Sequence, residues 1–293
     1  ITNCILSSHC NAIKIGTESN TGFKNIAISN IVVCPSKVSD KSIEGNPKGH
    51  TGIALETVDG GFIDGVVISN IRIDGPVCPI FIRRGFRARP YFEGQKIEKP
   101  GELKNISISN VVATGAGKTG CSITGIPGYP VENISLSNIS IEFEGGGTAE
   151  NINREVPEEE KAYPEFDMFG ELLPSFGFYI RHARNIRFSD VYLKAKTTDA
   201  RPAVCLSDVR YSSLKNTTLE NAGTSDCNFL LENNSDIHIS ESTVTGKSGV
   251  FAKLKGDLNK NITITNNLLP ETEKIFSPEN GTEKVVYETG NLK

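Results

Sequence analysis

One recurring phrase restricts the fold of this chain more than any other feature. "NIAISNI" spans 25–31, "GVVISNI" 65–71, "NISISNV" 105–111 and "NISLSNI" 133–139. Weaker copies stand at 185–191 ("NIRFSDV"), 236–242 ("DIHISES") and 261–267 ("NITITNN"), and the chain opens on the tail of another, "ITNC". A second type of apolar strand alternates with them: "AIKIG", "IALET", "IFIRR", "CSITG", "FYIRH", "VCLSD", "FLLEN" and "VFAKL". The shortest spacing between copies is about 25 residues, and such internal repetition marks a solenoid. In "NISISN" the two-residue period of a strand turns Ile inward and Ser outward. The closing Asn falls at a corner, where it tolerates left-handed backbone and bonds the Asn one rung away. Short strands, polar corners and no amphipathic helix predict an all-β parallel β-helix with rungs about 4.8 Å apart. Leucine-rich repeats are excluded by the missing Leu spacing, and a sandwich by the scarcity of hairpin signals. The expected organisation is a single β-helix domain over 1–293, with rungs to about 268 and a tail or cap over about 269–293.

Composition narrows the function classes. The 293 residues suffice for a sizeable core, with 37% hydrophobic and 23% charged. A net charge of -4 gives no bulk attraction to nucleic acid. No apolar run reaches the ~18 residues of a membrane span. The seven Cys show no CxxC or zinc spacing, and Cys10, Cys34, Cys78, Cys121 and Cys205 read as small buried hydrophobes. No metal and no cofactor is expected, and a monomer is. The chain starts with Ile and carries no signal peptide, which reads as a mature form or a fragment.

Three insertions interrupt the rhythm: polar 35–50, basic and aromatic 84–101, and acidic, aromatic 145–175. Loops on a rigid scaffold often carry function. Aligning the second strand type by its inward residues gives two outward columns. One runs Lys14, Ala54, Phe81, Ser122, Tyr179, Cys205, and the other Gly16, Glu56, Arg83, Thr124, Arg181, Ser207. Either this is a ladder of solvated salt bridges such as Glu56 with Arg83, or it is a groove for an extended polymer. "RRGFRAR" adds Arg83, Arg84, Arg87 and Arg89, whose forks suit carboxylates. Of the histidines, His182 is the best placed for the groove. The arm 145–175 is expected to fold back on the groove and narrow one end.

"CNAIKIGTESNTGFKNIAISN", "GIALETVDGG" and "PIFIRRG" resemble glycoside hydrolase family 28, the polygalacturonase-like β-helices. "SITGIPGYPVENISLSNI", "EEEKAYPEFDMFGELLPSFGFYIRH" and "DARPAVCLSDV" are similar to a bacterial branch of it, and the resemblance covers about 1–210. It implies a right-handed parallel β-helix, secreted or periplasmic, that hydrolyses pectic polysaccharide with inversion. That chemistry needs one carboxylic acid for the leaving oxygen and carboxylates that activate water. In the family these aspartates lie in Asn-x-Asp and Asp-Asp motifs before a Gly-His-Gly segment, at whose place "CNAIKIG" falls. The resemblance therefore implies an N-terminally truncated chain whose catalytic aspartates lie upstream of Ile1, and no catalytic residue is named within it. The fragment alone is expected to aggregate or to be inactive. Asn11 stands at the family's histidine, and Ala54-Leu55-Glu56 at its Arg-Ile-Lys signature. Lys14 is then expected to supply the missing cation, with Glu18 and Glu56 on hydroxyls. The substrate-binding set is Asn11, Lys14, Glu18, Glu56, Arg83, Tyr179 and Arg181. The competing readings are a non-catalytic polysaccharide-binding β-helix, tailspike-like or adhesive, and, third, a calcium-dependent polysaccharide lyase.

Overall fold

A computed structural model of the chain describes residues 1–36, 48–279 and 282–293. Most of the polar insertion expected over 35–50 thus lies outside the described residues. Every pairing between named strands is parallel, and each rung bonds to the next, so the architecture is an all-β parallel stack. The short strands form one face: Asn11–Ile15, Thr51–Thr57, Cys78–Arg84 and Cys121–Thr124, followed by the start of Phe178–Ala195 and of Val204–Asn221. The long strands Gly22–Cys34, Phe62–Asp74, Leu103–Ala116 and Val131–Phe143 each turn corners and supply the other faces.

The inward Ile of the repeat builds the core. Ile28, Ile68, Ile108, Leu136, Phe188, Leu214, Ile239 and Ile264 are paired in one continuous column, and all are buried. Burying each such side chain contributes about 1.5–3 kcal/mol. The corners follow the sequence as closely. Asn30, Asn70, Asn110 and Asn138 have φ of 52–58°. Each donates its side-chain amide to the preceding Asn at 2.8–3.1 Å, beginning at Asn3. The opening Asn of the phrase makes a second ladder that the repeat contained but the closing Asn obscured. Asn105, Asn133 and Asn185 also have positive φ and bond in series at 2.7–2.9 Å, starting from Asp64.

Residues 269–293 do more than trail. Thr272–Ser277 and Val286–Thr289 pair in parallel with Ser248–Lys255 and Lys260–Thr265, so the expected tail continues the stack. The arm leaves after Phe143, forms the short helix Ala149–Ile152 and rejoins at Phe178. Cys78, Cys121 and Cys205 are buried, Cys10 and Cys34 half-buried, and none forms a disulfide. Among the described residues no helix is long and apolar enough to cross a membrane.

Candidate functional site

The face of short strands sets its outward side chains in register. Lys14 pairs with Ala54, Ala54 with Phe81, Phe81 with Ser122, Ser122 with Tyr179, and Tyr179 with Cys205. The second column pairs Glu56, Arg83, Thr124, Arg181 and Ser207 in turn. The two outward columns are therefore those of the sequence alignment. What covers them is not the expected solvent or polymer.

The arm roofs the middle of this face. Arg83 is fully buried and donates to the carbonyls of Gly125 at 2.8 Å, Glu158 at 2.8 Å and Glu159 at 3.1 Å. Arg181 donates to Val156 and Pro157, both at 2.7 Å. The Phe169 ring lies 5.2 Å from the Arg83 guanidinium and 5.5 Å from that of Arg181. Phe169 also packs with Tyr179, Cys205, Leu173 and Ile152 in a small apolar cluster outside the main core. Burial, aided by the neighbouring Arg181, pulls Arg83 down to about 10, so it stays charged near neutrality. The open groove expected at Arg83, Tyr179 and Arg181 is thus corrected. These side chains hold the arm, because bent backbone over a buried face must find donors for its carbonyls. The arm covers the centre of the face and also reaches the first rungs, where Tyr163 and Glu165 meet Lys14 and Asn11.

The arginine cluster disperses likewise. Arg84 donates to the Pro130 carbonyl at 2.6 Å, and Arg87 bonds Asp59 with one contact at 3.0 Å. Arg87 and Arg89 both pair with the exposed Glu18 carboxylate. Glu18 is linked to the Lys14 cluster through Arg87, whose guanidinium lies 5.4 Å from the Tyr163 ring.

The first rungs converge instead on Lys14. Its ammonium lies 3.0 Å from Glu56 and 3.6 Å from Glu165, with the Tyr163 hydroxyl at 3.3 Å. Asn11 donates to Glu165 at 3.4 Å, and His50 Nδ1 stands 3.7 Å from the same carboxylate. Thr17 donates to Glu56 at 2.8 Å, while Glu56 Oε1 is buried without a hydrogen-bond partner. Gly16 makes the approach possible: it has φ of 107°, and a Cβ there would sit 2.0 Å from the Glu56 carbonyl. Burial pushes the Glu56 carboxyl up to about 7, against the pull of Lys14 and Thr17. Burial opposes ionisation of Glu165 too, yet His50, Lys14 and Asn11 hold it below its usual value. Lys14 is raised by Glu56 and Glu165 despite its own desolvation. The group thus sets a carboxyl that titrates near neutrality beside one that stays ionised, with the Lys14 ammonium between them.

His182 is the other polar junction. Its Nδ1 is 2.8 Å from Asp208, and its Nε2 is 3.2 Å from Glu158 of the arm. It secures the roof instead of facing a groove. Sequence reading brought Asn11, Lys14 and Glu56 together but missed Thr17, His50, Tyr163 and Glu165. The only signal was the acidic, aromatic arm, "EEEKAYPEF", whose landing point no periodicity fixes.

A scan against protein-family models finds no match, and a search of curated proteins finds none either. The family resemblance therefore rests on the quoted phrases alone. Among the described residues no three His, Cys, Asp or Glu side chains are grouped to hold a metal ion.

Proposed function

We propose that the chain is part of a polygalacturonase-like glycoside hydrolase. It is a right-handed β-helix, secreted or periplasmic, that cuts pectic polysaccharide with inversion. Its catalytic aspartates lie on rungs upstream of Ile1, and the cluster around Lys14 borders them. The observation that carries this reading is Lys14 itself. The resemblance leaves Glu56 where a cation belongs, and the Lys14 ammonium lies 3.0 Å from that carboxylate. The cation is supplied from the preceding rung. Two carboxylates flank this one ammonium, so the border favours sugar hydroxyls over a second carboxylate. The bond cut is accordingly one next to a neutral sugar, as in rhamnogalacturonan.

The test is reducing-sugar release by the protein carrying its upstream rungs. Polygalacturonate and rhamnogalacturonan serve as substrates, and NMR reads the anomer first formed. Release with inversion, faster on the mixed polymer, is expected; retention or elimination products would reject the reading. The second reading is a polysaccharide-binding β-helix, whose contact would lie off the roofed stretch over Arg83 and Arg181. Binding without any release would establish it.

A further inference from the structure

Beyond the arm the same face opens again. A cavity of about 390 Å³ lies between arm residues 152–156 and the later rungs, with Tyr179, Ser207, Glu232 and Lys255 on its floor. This is within the ~300–1,000 Å³ common for small-molecule sites. Its floor begins four rungs from Lys14, roughly 20 Å along the stack. It is thus separate from the first-rung cluster.

The second outward column supplies its polar groups. Ser207 pairs with Glu232 and Glu232 with Lys255 on successive rungs. The Ser207 hydroxyl donates to Glu232 at 3.2 Å, and Lys255 lies 2.9 Å from the same carboxylate. Both charged side chains keep 30–41% of their surface exposed, so they remain available to a ligand. Tyr179 and Leu230 give the floor an apolar part, and both belong to the small cluster under the arm. Burial raises the Tyr179 phenol, which keeps its proton as a donor. Lys255 faces Glu232, Arg181 faces Glu158 at 3.3 Å, and Arg154, beside Glu155 on the rim, is engaged by the Leu172 and Phe169 carbonyls. An acidic ligand would find no surplus cation in those pairs.

We propose that this cavity is a second carbohydrate-binding site, taking a neutral hexopyranose unit of an oligosaccharide. A mostly polar lining with a small apolar part at Tyr179 and Leu230 suits a sugar ring, which offers a rim of hydroxyls that both donate and accept beside its C–H faces. The site goes beyond the hydrolase reading and does not depend on it, because occupancy is measured without turnover.

The experiment titrates the protein calorimetrically with a neutral galactotriose and, separately, with trigalacturonate. Hydrogen exchange of the same samples locates the contact. Saturable binding of the neutral trimer is expected, with protection at 153–156 and 253–255 and no tighter binding of the uronate. Lys255→Met and Tyr179→Phe should each weaken it about 3- to 10-fold. Lys255 is partly exposed, so its variant tests the site without threatening the fold. Three results would overturn the proposal: no binding below about 10 mM, protection confined to 11–18 and 163–165, or tenfold tighter uronate.

Discussion

Lys14 with Glu56, and Arg83 with Arg181, occupy the same face within a few rungs and obey one strand register. They have opposite fates. Lys14 meets two side-chain carboxylates, Glu56 below and Glu165 of the arm, and stays partly exposed, whereas Arg83 and Arg181 meet mainly backbone carbonyls. A register says which way a charge points. The partner is decided by whatever chain passes overhead. A carboxyl that titrates near neutrality makes the first pair sensitive to pH there, while backbone carbonyls and a Glu158 carboxylate held low leave the second unaffected until mild acid.

The largest effect should come from Arg83→Ala. It leaves three carbonyls without their donor and opens a void under Phe169, so we expect a loss of about 3 kcal/mol or more. Urea unfolding would measure the loss, and protease cleavage within 155–165 should accelerate. A variant whose arm stays resistant would show that the Phe169 cluster alone holds the roof, and the contrast between the two pairs would break.

Glu56 sharpens the comparison through pH. Its folded carboxyl titrates at about 7 against 4.5 ordinarily, so the native state holds the proton more tightly than the unfolded chain. Stability from this group is complete below pH 4.5 and declines as pH rises to about 7. The decline is at most about 3 kcal/mol. Glu56→Gln should flatten the slope over that window in denaturation curves. An unchanged slope would mean that Lys14 compensates the carboxylate fully.

Lys14→Met should cost less, about 1–2 kcal/mol at pH 8, because the ammonium is partly solvated and Glu165 keeps its bonds to Asn11 and His50. The arm should remain protease-resistant, in contrast to Arg83→Ala. Arm release by both variants would erase the distinction.

The smallest effect belongs to His182, about 1 kcal/mol. Burial lowers its pKa, but bonds to Asp208 and Glu158 outweigh this and raise it. Its contribution is therefore present below the usual histidine range and fades as pH rises through the raised value. Its two carboxylate partners are held low, so they stay ionised into mild acid. His182→Gln should speed cleavage of the arm at pH 6 and change little at pH 9. Equal effects at both would make the imidazole a packing group.

The sequence announced the stack and its register because a one-residue slip would bury Lys14 or Arg83 among Ile side chains. The Asn corners were legible for the same reason: few other residues accept that backbone. The return of the arm over this face was expected, but its landing points were not legible. Its path depends on carbonyls meeting Arg83 and Arg181 and on Phe169 finding Tyr179, contacts with no period to betray them. Glu165 reaches Asn11 from 154 positions away. His50 looked isolated for the same reason.

The asparagine ladder has a further consequence. Consecutive members are 27, 40, 40 and 28 residues apart, yet their bonds vary only from 2.8 to 3.1 Å. The corners are punctuation that ignores sentence length. Such a chain can lengthen a loop, shed one or duplicate a whole turn without rewriting its neighbours, since each corner answers only to the corner below. Novelty is thereby confined to the loops, while the rungs that carry them stay interchangeable.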